Sequence, residues 1–199
     1  MLENNNARQR ASKPVVANVS NRHIHLCRKD MEQLFGQGYQ LVKLKDLMQP
    51  GEHACQETVT ITGRKGSIDK VRILGPLRAL TQVEISVTDS YALGVGAPVR
   101  GSGDVKGSAA ITITGPRGSV ELQEGCIVAK RHVHMTAADA AFYGVKDNEL
   151  ISIRCSGERG QIFENVLARV SDKMVLECHL DTDEANASGV RNGDHVFIL

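Results

Sequence analysis

The feature that most constrains this chain is a duplicated Arg-His-x-His motif. It occurs as Arg22-His-Ile-His25 and again, 109 positions later in the 199-residue sequence, as Arg131-His-Val-His134. A second pair of segments matches at an offset of 95 positions, with Ala, Gly and Val identical at three of them: Glu84–Val95 and His179–Val190. Because a solenoid needs about three or more repeats, two copies predict a pair of similar domains.

Short alternating apolar runs predict a mainly β fold with short helices. The runs are Thr58–Thr62, Val71–Leu74, Val83–Val87, Ala110–Thr114, Leu150–Arg154 and His195–Leu199, and glycine-rich turns separate them. Two helical segments are predicted, one after each motif copy. In Met135–Gly144, Thr136 and Asp139 form a variant capping box, and Gly144 ends the helix. In Leu26–Gly36, Asp30 is the acidic residue of the same motif and Gly36 ends the helix.

Composition excludes several classes of partner. Lys and Arg number 24 against 23 Asp and Glu, and aromatic residues are 4% with no Trp, which argues against nucleic-acid and membrane-surface binding. Five cysteines without a Cys-x-x-Cys pair or a secretory leader indicate a reducing, cytoplasmic setting. No apolar run reaches the ~18–20 residues of a spanning helix.

The repeat also selects candidate metal ligands. Five of the seven histidines lie at repeat-equivalent positions, and the sixth such position carries a glutamate. Residues i and i+2 of a strand face the same side, so each His-x-His offers two imidazoles to one metal. His and Glu sets with an open position are typical of catalytic zinc. We therefore predict two metals, each held mainly by its own repeat, with the ligands His23, His25, Glu84, His132, His134 and His179. His53 and His195 lack repeat partners and are interpreted as ordinary residues.

A second candidate group is the pair Arg72 and Arg78, which flank a Gly-Pro turn just before Glu84. Beside a metal site, a guanidinium suits bidentate binding of phosphate or carboxylate. Lys45 and Lys130 could add positive charge. The sequence has no complete phosphate-loop or dinucleotide fingerprint, so nucleotide use is unsupported.

Several long, ordered motifs closely resemble the phosphate propanoyltransferase family, the PduL-type phosphotransacylases of bacterial microcompartments. The resemblance covers roughly residues 16–199 and rests on these segments: Val19-Ser-Asn-Arg-His-Ile-His-Leu26, Arg72-Ile-Leu-Gly-Pro-Leu-Arg78, Gln82-Val-Glu-Ile-Ser86 with Thr88-Asp89, Arg131-His-Val-His-Met135 and Leu180-Asp-Thr-Asp-Glu-Ala-Asn-Ala187.

The resemblance implies an activity and residue roles. The reaction is acyl-CoA plus phosphate to acyl phosphate plus CoA at a two-zinc site, in propanediol degradation. The family pattern places its zinc ligands on the same six residues as the repeat, and its phosphate-binding arginine, taken as catalytic, on Arg78. Contacts to CoA map to Ser20, Lys45, Arg72, Leu74 and Asn186.

The resemblance also implies two β-barrels capped by short helices, with the metal site between them. Residues 14–21 with 130–199 would form one barrel and residues 22–129 the other. Residues 1–13 are predicted to be a disordered tail without the amphipathic stripe of an encapsulation helix, so a cytoplasmic location is favoured over a microcompartment lumen. We expect a homo-oligomer, with microcompartment association left open. Cys27 stands where the family usually has a serine helix cap.

Two other functions fit the same ligands. A dinuclear zinc hydrolase would use a metal-bound water whose pKa is near ~7. A metal-stabilised structural module would need metal to fold but would have no turnover and no use for Arg72 and Arg78.

Overall fold

The computed structural model describes Arg10 and residues 12–199. These residues divide into two compact units. The His23 unit comprises Asn21–Leu47 and Gly51–Ala129, and the His132 unit comprises the described residues up to Ser20 together with Met48–Pro50 and Lys130–Leu199. The predicted tail, residues 1–13, lies mostly outside the described residues, although Tyr143 donates a 2.6 Å hydrogen bond to the Lys13 carbonyl.

The His23 unit contains the following elements in chain order: β2 His23–His25, α1 Arg28–Phe35, β3 Lys43–Asp46, β4 His53–Thr62, β5 Ser67–Gly75, β6 Gln82–Ile85, α2 Val87–Leu93, β7 Val99–Arg100, β8 Ala109–Thr114 and β9 Ser119–Ala129. The elements of the His132 unit are β1 Val15–Ser20, β10 His132–Met135, α3 Ala137–Tyr143, β11 Leu150–Cys155, β12 Gln161–Val170, β13 Glu177–Asp181, α4 Thr182–Ser188 and β14 His195–Ile198.

Each unit is a closed six-stranded barrel. In the His132 unit the order is β1-β13-β10-β12-β11-β14. In the His23 unit it is β4-β5-β2-β6-β9-β8, closed by the pairing of β8 with β4, while β3 and β7 add to β4 and β9. Closure leaves the six barrel strands without a free edge. The predicted mainly β fold of two similar barrels is confirmed.

Strand pairing is the same around the histidine strand of each barrel. In the His23 unit, β2 lies between β5, which is parallel to it, and β6, which is antiparallel. In the His132 unit, β10 lies in the same way between β12 and β13. The next strand is β9 in one barrel and the N-terminal β1 in the other, each parallel to its neighbour. The first strand of the chain therefore completes the barrel formed by the last part of the chain.

The buried cores follow from the alternation of apolar residues along the strands. Ile24, Val59, Ile73, Val83 and Ile113 are among the buried side chains of the His23 unit. In the His132 unit the corresponding core contains Ala17, Val133, Ile153, Cys178 and Leu180. All five cysteines are free thiols and four of them are buried, which agrees with a packing role.

Capping boxes begin three of the four helices whose bounds are given above. The predicted box of Thr136 and Asp139 starts α3, and a left-handed Gly144 follows it. The same arrangement starts α2 at Ser86 and α4 at Asp181, two helices that the sequence analysis missed. At α1 the predicted end at Gly36 is confirmed. The predicted role of Asp30 in a capping box is wrong, because Cys27 occupies the N-cap and makes no side-chain hydrogen bond there.

The arginine of each motif has a structural role. Arg22 donates Nε and Nη2 to the two carboxylate oxygens of Asp89, at 2.8 and 2.7 Å. Arg131 donates Nη1 to Glu184 at 2.7 Å. Both acids belong to capping boxes, so each arginine ties the start of a histidine strand to the helix that follows the third ligand position. No helix among the described residues is long and apolar enough to cross a membrane.

Candidate active site

Strand register brings each predicted ligand set together within its own unit. His23 lies directly opposite Glu84 on the antiparallel pair β2 and β6. His132 lies directly opposite His179 on the pair β10 and β13. In each unit, one ligand atom from each of the three residues lies within 4.8 Å of the others. The described part of the chain therefore contains two groups that could hold a metal ion. The location of the metal site between the barrels stays a prediction.

The His23 group is almost completely buried. His23, His25 and Glu84 are 8%, 2% and 5% exposed. The Glu84 carboxylate places Oε2 3.5 Å from His23 Nε2 and Oε1 3.9 Å from His25 Nε2. Its Oε1 also accepts hydrogen bonds from Gln82 Nε2 at 2.5 Å and Ser102 Oγ at 2.8 Å. These donors hold the carboxylate against the two imidazoles.

Electrostatics favour a positive charge beside Glu84 and keep His25 neutral. Burial and the neighbouring His23 lower the pKa of His25 to about 3, so its imidazole is neutral. Burial opposes ionisation of Glu84, but His23 outweighs this effect and lowers the pKa of the carboxyl group. Burial likewise lowers the pKa of His23, yet the Glu84 carboxylate raises it overall. A cation is thus favoured beside Glu84.

The His132 group consists of three imidazoles. The ring centroids of His132, His134 and His179 lie 4.7 to 5.0 Å apart. His132 Nε2 and His134 Nε2 approach to 3.0 Å. Burial, with His132 and His179 adjacent, lowers the pKa of His134 to about 2. The imidazole of His134 is therefore neutral, as a metal ligand must be.

The chemistry of the donors fits a metal. His23 Nδ1 lies 2.8 Å from the carbonyl of Asn21, and His132 Nδ1 lies 2.8 Å from the carbonyl of Lys130. A carbonyl can only accept, so Nδ1 carries the hydrogen and the lone pair is on Nε2, which faces the group. Backbone carbonyls commonly support metal-binding histidines in this way. The same feature appears at both repeat positions.

Glu177 is a candidate that the sequence analysis missed. It is 3% exposed, and its Oε1 lies 3.0 Å from His179 Nε2. Burial opposes its ionisation, but the contact with His179 and amide hydrogen bonds from Gln49 and Asn18 lower its pKa to about 2. Its position two residues before His179 on β13 places it on the same face of the strand.

Arg78 is connected to the His23 group. Its Nη1 donates to Ser102 Oγ at 3.0 Å, and Ser102 in turn donates to Glu84. Its Nη2 lies 3.3 Å from Glu52 Oε1. Arg78 also lines a cavity of about 620 Å³, whose other charged lining residues are Arg28, Lys29, Asp30 and Glu124. Sequence analysis selected Arg78 but gave no indication of Ser102 or Glu52.

The residues predicted to contact CoA divide between the units. Arg72 and Leu74 lie on β5 in register with His23 and His25, and Arg72 donates to the carbonyls of Cys55 and Gln56 at 3.0 and 2.7 Å. Lys45 is exposed on β3 of the same unit. Ser20 and the exposed Asn186 belong to the His132 unit. Their predicted role in CoA binding stays a prediction.

The neutral histidines predict a pH effect on the metal-free protein. Between pH 6.5 and 5, the unfolded chain takes up protons at His25 and His134 and the folded chain does not, so the free energy of unfolding should fall as pH is lowered. We expect a loss of about 1 to 2 kcal/mol for each histidine. This window lies above the ordinary pKa of carboxyl groups. Burial raises the pKa of Asp181 to about 6, so proton uptake at Asp181 in the folded chain offsets part of this loss.

Urea unfolding of chelator-treated protein at several pH values would measure this effect. His134→Gln should show a shallower dependence than the unchanged chain, because one of the two groups is removed. A dependence that is the same in both proteins would contradict the assignment.

Comparison with known proteins identifies this chain as a phosphotransacylase, an enzyme of the transferase class. It belongs to the phosphate propanoyltransferase family, whose model matches residues 16–191. The resemblance in the motifs is thereby confirmed.

Three curated relatives illustrate the match. Phosphate propanoyltransferase of Thermotoga maritima is 53% identical over 93% of this chain and 89% of its own length. The Lachnoclostridium phytofermentans protein of the same name is 52% identical over 93% and 87%. The Salmonella typhimurium protein of that name is 48% identical over 93% and 88%.

Proposed function

We propose that this chain transfers a short acyl group between CoA and phosphate. A phosphate oxygen bonds to the acyl carbon, the carbon–sulfur bond breaks, and CoA leaves as its thiolate. Membership of the phosphate propanoyltransferase family supports this reaction. The observation that supports assigning this reaction to particular residues is a pair of hydrogen bonds. The Arg78 guanidinium donates to Ser102, and Ser102 donates to the Glu84 carboxylate.

We propose that each ligand group holds one zinc ion. His23, His25 and Glu84 would hold one, and His132, His134 and His179 the other. Three neutral or anionic protein ligands with an open position are typical of catalytic zinc. Bound zinc would supply Lewis acidity toward oxygen and a soft partner for sulfur. Five of the six residues are buried, and strand register fixes their positions, so little reorganisation accompanies binding.

Arg78 would bind and orient phosphate. Phosphate is already anionic at pH 7, so the enzyme needs mainly to hold it against the thioester carbonyl. The Arg78 side chain is 31% exposed, which leaves it accessible. Its 3.3 Å ion pair with the partly exposed Glu52 is of a kind that adds little to stability. Phosphate can therefore replace Glu52 as the partner of Arg78. Ser102 would then keep the guanidinium in place.

Five residues are proposed to contact CoA. Arg72 is held by two backbone carbonyls beside His23, so its guanidinium is fixed in orientation. Lys45 is exposed and suits a phosphate group of CoA as a flexible point charge. Ser20, Leu74 and Asn186 complete the proposed contacts.

One assay separates this function from a zinc hydrolase. The release of free thiol from acetyl-CoA and propanoyl-CoA is followed with and without phosphate, and acyl phosphate is detected as product. We expect release to depend on phosphate and to stop after zinc chelation. Thiol release at the same rate in phosphate-free buffer, with free acid as product, would instead establish hydrolysis. If the zinc-loaded protein shows no turnover and unfolds when zinc is chelated, the structural module is favoured.

A further inference from the structure

The two ligand groups differ by an exchange of residues at equivalent positions. At the offset of 95, Glu84 corresponds to His179 and Gln82 corresponds to Glu177. In the His23 unit, the carboxylate occupies the ligand position and the amide of Gln82 supports it at 2.5 Å. In the His132 unit, the imidazole occupies the ligand position and the carboxylate of Glu177 supports it at 3.0 Å. Each group thus has one buried carboxylate, in a different place.

Glu177 is held in a defined geometry. Its Oε1 accepts a hydrogen bond from Asn18 Nδ2 at 2.6 Å, and its Oε2 accepts one from Gln49 Nε2 at 2.5 Å. Gln49 is itself only 6% exposed and is bonded on both sides to the backbone of Val175, at 3.1 and 3.3 Å. A network of this kind restricts the carboxylate to one orientation, toward His179.

The charge of Glu177 needs a positive partner. A buried carboxylate is costly unless it is paired, and neutral amides compensate only part of the loss of water. Asn18 and Gln49 are neutral, and the imidazole of His179, 3.0 Å away, is charged only when it is protonated. A metal ion bound by His132, His134 and His179 would place positive charge on the far side of that imidazole.

We propose that Glu177 is a positioning residue that orients His179 and gives the three-histidine centre the negative charge that Glu84 gives the other centre as a ligand. A neutral His179 that donates its Nε2 hydrogen to Glu177 keeps its lone pair on Nδ1 for the metal. The inference rests on the two-zinc centre under Proposed function, and it concerns metal binding rather than turnover.

The test measures zinc affinity of each centre by competition with a chromophoric chelator, using the full chain. Glu177→Gln removes the charge at nearly constant size and reproduces the residue found at the equivalent Gln82. We expect the group of His132, His134 and His179 to bind zinc roughly 10- to 100-fold more weakly. Zinc affinity of the group of His23, His25 and Glu84 should be unchanged. Circular dichroism of the chelated proteins provides the folding control.

A double-substitution cycle separates positioning from general destabilisation. If Glu177 acts through His179, adding Glu177→Gln to a His179→Ala chain should cause no further loss of zinc affinity. Losses that add in the double variant, or a single variant with unchanged affinity at both centres, would overturn the inference. Rescue by Glu177→Asp, with an affinity between that of Glu177→Gln and that of the unchanged chain, is also expected.

A second variant covers the case in which Glu177→Gln does not fold. Gln49→Ala removes the 2.5 Å donor and leaves both Glu177 and His179 in place. We expect a smaller loss at the same centre, and unchanged affinity would overturn the inference. A wild-type chain that binds one zinc or none would instead overturn the two-zinc proposal and this inference together, so the two failures are distinguishable.

Discussion

Replacing His132 with alanine is expected to remove half of the zinc from the protein and to reduce turnover to background. His132 lies 3.0 Å from His134 through the two Nε2 atoms and directly opposite His179, so it shares contacts with both other members of its group. Affinity at this centre should fall by more than the roughly 10- to 100-fold that loss of a supporting residue costs. Elemental analysis and the phosphate-dependent thiol assay measure the two effects.

His195→Ala is the matched control for this prediction. His195 is exposed on β14 of the same unit and lies outside both ligand groups. Its replacement should change neither zinc content nor rate. Full activity in a His132→Ala protein that has lost half of its zinc would contradict a catalytic role for that centre.

The duplicated histidine motif allowed much of the candidate site to be predicted, because strand geometry converts spacing into direction. Residues i and i+2 of β2 and of β10 face one side, and the offset of 95 identifies the position opposite each first histidine. The predicted metal-ligand sets therefore follow from two local rules and one repeat. No long-range contact needed to be known.

Residues that support the site from other parts of the chain could not be found in this way. Glu177 receives its hydrogen bonds from Asn18 and Gln49, which are 159 and 128 positions away. Its repeat equivalent is Gln82, an amide, so comparing the copies hides the shared role. Ser102 lies in a loop without a repeat partner, and only the fold places its hydroxyl between Arg78 and Glu84.

The two missed helices, α2 and α4, show a limit of periodicity. Each has seven residues and directly follows a strand that carries a ligand, so no helical apolar repeat has room to develop. Their capping boxes were nevertheless present in the sequence, as Ser86 with Asp89 and Asp181 with Glu184. At such short lengths the caps and the final glycine are better predictors than the apolar pattern.

Replacing Arg78 is expected to impair phosphate use while leaving zinc content intact. Arg78→Lys retains the charge but loses the planar fork that can bind phosphate through two hydrogen bonds. It also loses the donor that reaches Ser102 at 3.0 Å. Loss of one charge-assisted contact worth about 1.5–3 kcal/mol predicts a roughly 10- to 150-fold fall in kcat/KM for phosphate. Arg78→Ala should be worse, because the phosphate charge is then less compensated.

The matched control is Arg64→Lys, in the exposed turn between β4 and β5 of the same unit, which should retain wild-type kinetics. Steady-state rates at varied phosphate and fixed acyl-CoA give kcat/KM, and elemental analysis reports the zinc. The Glu84 carboxylate keeps its hydrogen bond from Gln82 in every Arg78 variant, so the metal ligands should stay in place. An Arg78→Ala protein that uses phosphate normally but loses zinc would make Arg78 a structural residue, and Arg72, held beside His23 on β5, would become the candidate for phosphate binding.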